Sequence, residues 1–310
     1  MPIELKDVSY VYNEGLPDEK RALSHIDLTF REGEFTAIIG HTGSGKSTLI
    51  QMLNGLLKPT SGTVLLDGED IFEEPDVRSK KKRREARAKK MLSVRQRVGL
   101  VFQYPEHQLF EMTVAEDVAF GPRNLQLPKD EIKKRIREAM EMVGLDRSYR
   151  EKSPFELSGG EKRRVAIAGV LAMKPDFLIL DEPTAGLDPQ GRDEILNQTR
   201  QLCDKTGIAI LLVSHSMDDV ARFADRVVAI EEGELKYDGT PKEVFSHAED
   251  LKAMGLGIPQ VTELAMQLKE KGFPIRETVL DLDEMEAILT GRFAKNEDEP
   301  ETNGNADTKG

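Results

Sequence analysis

The sequence predicts an α/β fold with a mainly parallel sheet, because strand-like apolar runs alternate with helical patterns through most of its 310 residues. Several of these runs are uninterrupted hydrophobic segments, as expected of strands that are covered on both faces. The clearest predicted strands are residues 35–39, 98–102, 177–180, 208–213 and 226–230. Runs at 3–12, 26–30 and 63–66 lie between turn residues and indicate an antiparallel flap.

A helical insert interrupts this alternation between about residues 113 and 173. Ile132, Ile136, Met140 and Val143 mark one apolar helix face, at spacings of four, four and three. After Gly239 the pattern changes again, which predicts a small appended domain. The predicted domains are therefore residues 1–240 with the helical insert, an accessory or dimerisation domain at 241–293, and a disordered acidic tail at 294–310.

Composition limits the class of protein. The formal net charge is −12, and Cys203 is the single cysteine, so no internal disulfide and no cysteine metal cluster can form. The longest apolar run has nine residues, whereas a membrane span needs about 20. The N-terminus lacks a secretion signal pattern. We therefore expect a cytosolic protein that does not cross a bilayer.

The positive charge is concentrated in one segment. Residues 78–97 contain eleven Lys or Arg and one acid, Glu85, for a local charge of +10. Such blocks bind nucleic acid or anionic lipid headgroups, or they form a solvated helix surface. All three interpretations remain open at this stage.

The strongest motif follows the predicted strand at 35–39 and precedes a helix-like run at 49–57. Its glycines let backbone N–H groups turn toward phosphates, at the positive end of a helix. In this phosphate loop, Lys46 supplies charge at the β- and γ-phosphates, and the Ser47 hydroxyl is a Mg²⁺ ligand. The loop consists of Gly40, His41, Thr42, Gly43, Ser44, Gly45, Lys46, Ser47 and Thr48.

A second motif is the pair of carboxylates that ends the strand at 177–180. The strand end places Asp181 and Glu182 at the carboxyl edge of the sheet, where ligands collect. Asp181 is a candidate to hold Mg²⁺, and Glu182 is a candidate to polarise the water that attacks a γ-phosphate.

A third motif, the signature segment, is Ser158, Gly159, Gly160 and Glu161. Ser158 is a good helix N-cap, and the glycines leave the backbone accessible for a second anion site. A single ATP does not require two such helix ends far apart in one chain. We therefore expect this segment to complete a site on a different subunit.

With these motifs, the chain resembles ATP-binding cassette (ABC) ATPase subunits from about residue 3 to residue 245. The resemblance implies that Gln103 contacts Mg²⁺ or the attacking water, that residues 185–188 cross a dimer interface, and that His215 contacts the γ-phosphate. It also implies that Tyr12 stacks on adenine, with Tyr10 as the nearby alternative. Each ATP would lie between the phosphate loop of one subunit and the signature segment of the other. Glu161 departs from the pattern, since many relatives have Gln there.

Residues 103–110, which run from Gln103 to Phe110 and are called the docking segment here, carry a narrower resemblance. They are similar to the ATPases of energy-coupling factor (ECF) transporters. The sequences at 8–12, 41–42 and 53–58 resemble the second of two ECF ATPase paralogues. In that family the segment lines a groove for a transmembrane coupling protein. Tyr104, Leu109 and Phe110 are expected to offer apolar surface, and Glu106 and His107 to pair with basic residues of the partner. The alternative is that these residues pack locally within the helical insert.

The resemblance implies an ATP-hydrolysing, peripheral protein on the cytoplasmic face of the membrane, which forms a heterodimer with the first ECF paralogue. It further implies a transmembrane coupling protein, a substrate-binding membrane subunit and the uptake of vitamins or other micronutrients. The ATPase of a cobalt or nickel importer shares nearly every motif and remains an alternative. A soluble ABC ATPase that acts on nucleic acid is supported only by residues 78–97.

Overall fold

The computed structural model of the chain describes residues 2–76, 78–275 and 277–297, and it contains two β-sheets. The first sheet is a four-stranded flap, ordered β2-β1-β4-β5. Its antiparallel strands are β1 (Ile3–Tyr12), β2 (Lys20–Phe30), β4 (Ser61–Leu66) and β5 (Glu69–Asp70). The second sheet has six strands, β3 (Phe35–Ile39), β6 (Val98–Val101), β7 (Phe177–Asp181), β8 (Ala209–Val213), β9 (Arg226–Glu231) and β10 (Glu234–Gly239).

Eleven α-helices accompany the sheets in the described ranges. They are α1 (Lys46–Leu53), α2 (Lys80–Arg97), α3 (Val114–Asn124), α4 (Lys129–Met142), α5 (Gly159–Leu171), α6 (Pro189–Thr206), α7 (Met217–Phe223), α8 (Pro241–Phe245), α9 (Ala248–Ala253), α10 (Gln260–Glu270) and α11 (Leu282–Glu297). None of those helices combines the length and apolar character that a bilayer crossing requires.

The order of the six-stranded sheet, β10-β9-β3-β8-β7-β6, positions the site. All neighbouring pairs are parallel except β10 with β9. The segments after β3, β8, β7 and β6 therefore emerge side by side at one carboxyl edge, which is where parallel sheets bind ligands. The predicted α/β class, with its flap and helical insert, is confirmed.

The central strands are apolar because helices or the flap cover both faces. Every residue of β3, β6 and β8 is buried, as are Phe177 to Leu180 of β7. Full burial of one such aliphatic or aromatic side chain stabilises the fold by about 1.5–3 kcal/mol. The rigid sheet that results can hold side chains at its edge in fixed positions.

Two strands of the structure were not predicted. β5 has two residues, too few for a hydrophobic pattern. β10 is an edge strand with no fully buried residue, so its sequence carries little apolar signal. It forms because the turn at Glu232 and Gly233 folds the chain back onto β9.

The C-terminal region is attached through a shared core. Phe245 of α8 and Leu251 of α9 are fully buried in a cluster with Val227 and Ala229 of β9. A smaller cluster joins α10 and α11 through Val261, Ala265 and Met285, among others. The domain boundary at 240 stays a prediction. α11 extends to Glu297, and the remainder of the predicted tail lies outside the described residues.

Candidate functional site

The phosphate loop connects β3 to α1 as predicted. The Lys46 ammonium Nζ donates to the carbonyl oxygens of Gly40 at 2.6 Å and His41 at 2.9 Å, so the side chain folds back over the loop. Gly45, the N-cap of α1, has φ +109°, and a Cβ there would lie 2.4 Å from the carbonyl oxygen of Ala22. Only glycine satisfies both constraints at this position. Contacts within this chain therefore define the conformation of the loop at Gly45 and Lys46.

Lys46 carries its charge in a confined place, since only 6% of the residue is exposed. Burial lowers the pKa of Lys46, and the negative charges of Glu182 and Asp181 oppose that shift. Burial and the neighbouring Glu182 raise the pKa of Asp181, while Lys46 and His215 oppose that rise. Because burial removes solvent from the Lys46 ammonium, a nearby anion would stabilise its charged form. The electrostatics of the loop therefore favour the binding of phosphate.

Glu182 is the centre of a cluster at the sheet edge. Its Oε1 lies 2.9 Å from His215 Nε2, and its Oε2 accepts a hydrogen bond from Gln103 Nε2 at 3.1 Å. Gln103 follows β6, Glu182 follows β7 and His215 follows β8, which explains why residues distant in sequence meet. Glu182 also adopts φ +47°, a conformation uncommon for a non-glycine residue and often found at functional sites.

Tyr12 lies at the phosphate loop and Tyr10 does not. The Tyr12 hydroxyl is 3.0 Å from Thr48 Oγ1, and Tyr12 lines a cavity of about 190 Å³ together with Lys20 and residues of the loop. Tyr10 packs against the core of the flap, and burial raises its pKa. The rings of the two tyrosines meet edge to face at 4.8 Å. Of the two tyrosines, Tyr12 is therefore the one that lies beside the phosphate loop.

The signature segment begins α5 with a capping box. The backbone N–H of Glu161 bonds to Ser158 Oγ at 3.3 Å, and Glu161 Oε2 accepts from the Ser158 N–H at 2.8 Å. A Cβ at Gly159 or Gly160 would meet nothing within 4 Å, so no neighbour in the described chain requires glycine there. Among the hydrogen bonds and ion pairs of the described residues, none joins this segment to the phosphate loop. The helix end is presented outward.

Glu161 fits this position for a local reason. Its pKa is lowered to about 2, first by the hydrogen bond that Tyr149 donates to Oε1 at 2.6 Å and then by the bonds from Ser158. Because the pKa is depressed, the cap stabilises the fold above the usual value of 4.5 and is lost as the pH falls toward 2. A Gln side chain could keep the bond from the Ser158 N–H through its one amide oxygen, so the capping box can form with either residue, whereas the bond that Tyr149 donates uses the second oxygen of Glu161.

The docking segment differs from prediction at two residues. Glu106 pairs with Arg163 of this chain at 3.0 Å, so the expectation that it pairs with a partner's basic residue is wrong. Leu109 is only 9% exposed and packs into the core of the helical insert, so it does not form apolar surface. Tyr104 and Phe110 are exposed as expected, and Phe110 meets the exposed ring of Phe120 at 5.0 Å.

Sequence reasoning missed Tyr149 and Arg163. Tyr149 lies in a short 3₁₀ turn, twelve residues before the glutamate it binds, and no motif marks it. Arg163 lies two positions after the signature segment, where a charged residue is normally taken as part of a solvated helix face. Its burial is visible only once the turns at 105–108 and 183–185 are packed against α5.

The chain is similar to known proteins both in sequence and in structure. The family model for ABC transporters matches residues 23–185, more than half of the chain, so the chain belongs to the family of ABC-type ATPases. A solved structure described as CbiO1 from Clostridium perfringens, part of the ABC transporter complex CbiONQ, is 41% identical with a TM-score of 0.68. It covers 81% of this chain, which in turn covers 93% of it.

Two curated relatives narrow the assignment. Both are named energy-coupling factor transporter ATP-binding protein EcfA2. The protein from Caldanaerobacter subterraneus subsp. tengcongensis is 52% identical over 92% of this chain and 95% of its own length. The protein from Clostridium tetani is 53% identical over 94% of this chain and 98% of its own length. This chain belongs to the family of ECF transporter ATP-binding proteins, which confirms the resemblance inferred from its motifs.

Proposed function

We propose that this chain is the ATP-binding and ATP-hydrolysing subunit of an ECF-type importer, which couples ATP-driven dimer closure to the uptake of vitamins or other micronutrients. The convergence of Gln103, Glu182 and His215 beside the phosphate loop is the observation that carries this proposal. Family membership assigns the chain to transport-coupled ATPases rather than to ABC proteins that act on nucleic acid.

The site divides the reaction among its residues. The phosphate loop and Lys46 bind the β- and γ-phosphates, while Tyr12 stacks on the adenine. Glu182 acts as the general base that orients and deprotonates the attacking water, and Gln103 and His215 hold its carboxylate in place. We assign His215 the further role of donating to the γ-phosphate, since it is in contact with Glu182.

Mg²⁺ fits the donors at this edge, because Ser47, Gln103 and Asp181 offer the oxygen ligands that this ion prefers. The Gln103 amide nitrogen donates to Glu182, so its amide oxygen is the atom that would serve as ligand. When bound, Mg²⁺ neutralises phosphate charge during phosphoryl transfer.

The outward signature segment requires a second subunit. Ser158, Gly159, Gly160 and Glu161 would complete the ATP site of a paralogous ATPase, whose own signature would complete the site at Lys46. In support, a solved ABC cassette, 29% identical with a TM-score of 0.63, is described as a dimer bound to ADP and phosphate. Closure is favoured by ATP because both phosphate sites gain donors only in the closed dimer.

The docking segment provides the link to the membrane. Tyr104 and Phe110 expose apolar surface, against which an amphipathic partner helix can pack its apolar face. We place a transmembrane coupling protein here, with a substrate-binding membrane subunit beside it, and this chain as a peripheral protein on the cytoplasmic face of the cell membrane.

A pull-down tests the whole assignment. The tagged full chain, carrying Glu182→Gln, is recovered with ATP and Mg²⁺ in mild detergent, and co-purifying proteins are identified. We expect a second, different ABC ATPase together with a multi-span protein. Recovery of only this ATPase with membrane proteins would instead indicate a metal importer with identical ATPases. Nucleic acid without membrane proteins would refute the transporter assignment.

Matched variants locate the membrane contact in the same experiment. Phe110 is 57% exposed and Phe155 is 63% exposed, so neither contributes much to the core. Phe110→Ser is expected to lower recovery of the multi-span protein without affecting the second ATPase. Phe155→Ser, outside the docking segment, should leave both unchanged. Equal losses from both variants would argue against docking at residues 103–110.

The basic helix α2 is proposed to contact anionic lipid headgroups. Its lysines at positions 80–82 are exposed, whereas Arg97 is paired with Asp176 and Arg87 with Glu74. Each lysine near an anionic surface contributes about 1 kcal/mol. Replacing all three by Gln should therefore weaken sedimentation with phosphatidylserine vesicles about 100-fold.

The control for α2 replaces three other lysines of the described helices, Lys129, Lys133 and Lys134 of α4, by Gln. It should leave vesicle binding within about twofold of the parent. Equal effects of the two triple variants would show that net charge alone is responsible. Salt-sensitive binding of RNA in place of vesicles would favour a nucleic-acid role for α2.

A further inference from the structure

Arg163 is a buried cation at the start of the signature helix. Only 1% of it is exposed, yet the residue follows the outward-facing signature segment by two positions. Desolvating a guanidinium is costly unless its donors are satisfied by good partners. The segments that supply these partners therefore indicate the role of Arg163.

The partners of Arg163 come from two other segments. Its guanidinium donates to both carboxylate oxygens of Glu106, at 3.0 and 3.1 Å, in the docking segment. It also donates to the carbonyl oxygens of Pro183 at 2.6 Å and Ala185 at 3.0 Å. One planar group thus joins α5, the docking segment and the turn after β7, with the fork geometry that only arginine provides.

The turn after β7 also positions Glu182. Pro183 is the next residue, and the backbone N–H of Ala185 donates to the Glu182 carbonyl at 3.2 Å. Glu182 has a positive φ, which persists only where surrounding contacts determine it. A displacement of Arg163 would therefore reach the backbone that carries the general base.

We propose that the Arg163–Glu106 pair is a positioning link that makes the docking segment, the signature helix and the turn after Glu182 move as one unit. Movement of the signature helix when the partner's ATP binds is thereby delivered to the surface where the membrane subunit docks. The inference rests on the proposed function, since it explains how that coupling is transmitted. A residue that served packing alone would not need a bidentate pair between the signature helix and the docking segment.

Hydrogen exchange tests the link in the complex of the full chain with its co-purified subunits. The parent carries Glu182→Gln, so that ATP stays bound. We expect ATP to slow exchange at 40–48, at 158–163 and at 104–109, each about tenfold. Adding Glu106→Gln, which keeps the side-chain size, should preserve the first two responses and abolish the third. Glu106→Asp keeps the charge and should restore at least half of the response at 104–109 on a logarithmic scale.

A second arginine supplies the structural control. Arg135 pairs with Glu131 at 2.8 Å and donates to the carbonyl oxygen of Met173 at 3.2 Å, near the other end of α5. Arg135→Gln removes a comparable set of bonds and should lower the thermal midpoint while the response at 104–109 persists.

Each outcome is decisive. An intact response at 104–109 in Glu106→Gln, or no response there in the parent, would overturn the link. Loss of that response in Arg135→Gln to the same degree would also overturn it, because general loosening would then be the cause. Failure of ATP to protect residues 40–48 in the parent would instead refute the proposed ATP binding itself.

Discussion

Replacing Glu182 by Gln is expected to slow ATP hydrolysis about 10²- to 10⁴-fold while ATP binding stays near that of the parent. Gln retains the size of the side chain and an oxygen that accepts from Gln103 or His215, but it cannot take a proton from water. Steady-state phosphate release from the full complex measures the first effect, and equilibrium dialysis with ATP measures the second.

Glu194 provides the matched control for this substitution. Its carboxylate also accepts from a side-chain amide, Gln190 at 3.0 Å, and from a cation, Arg164 at 2.9 Å, yet it lies on α6 away from the phosphate loop. Glu194→Gln should change hydrolysis by less than about twofold, because it removes only a surface ion pair. Hydrolysis at the parent rate in Glu182→Gln would remove Glu182 from the role of base and leave Asp181 as the next candidate.

Local patterns predicted most of the sheet and the motifs at its edge. The strands β7 and β8 are apolar runs that lead to Asp181 and Glu182 and to Ser214 and His215, while β3 leads into the phosphate loop. Parallel strands deliver their carboxyl ends to one edge, so the meeting of Glu182 and His215 follows from topology.

The errors concern contacts between segments distant in sequence. Glu106 and Leu109 lie in a short segment that mixes polar and apolar residues. The segment is too short for its hydrophobic pattern to show which side chains face the protein. Their burial depends on α5, more than fifty residues later, where Arg163 draws Glu106 inward. A single sequence carries no signal for such a pairing, because buried and solvated charges look identical before the helices pack.

Gly45 and Gly160 differ in why the position holds glycine: contacts within this chain require it at Gly45 but not at Gly160. Gly45 is fixed by its positive φ and by the close carbonyl of Ala22, both within this chain. Gly160 has neither constraint, since a Cβ there would meet open space. No contact within the described chain therefore requires glycine on this side of α5. Which residues are tolerated there depends on the subunit that packs against it.

Gly160→Asp is therefore expected to keep the fold intact and to slow ATP hydrolysis by the complex about 10²- to 10³-fold, as when a preorganised donor to developing charge is lost. A carboxylate in the first turn of α5 interacts favourably with the helix dipole, so the thermal midpoint should be unchanged or slightly raised. The same carboxylate would repel the γ-phosphate that the partner's phosphate loop presents. Lys129→Asp, which places the same charge in the first turn of α4, should leave hydrolysis within about twofold. A complex that hydrolyses ATP normally with Gly160→Asp would contradict the composite site, because the signature segment would then face no nucleotide.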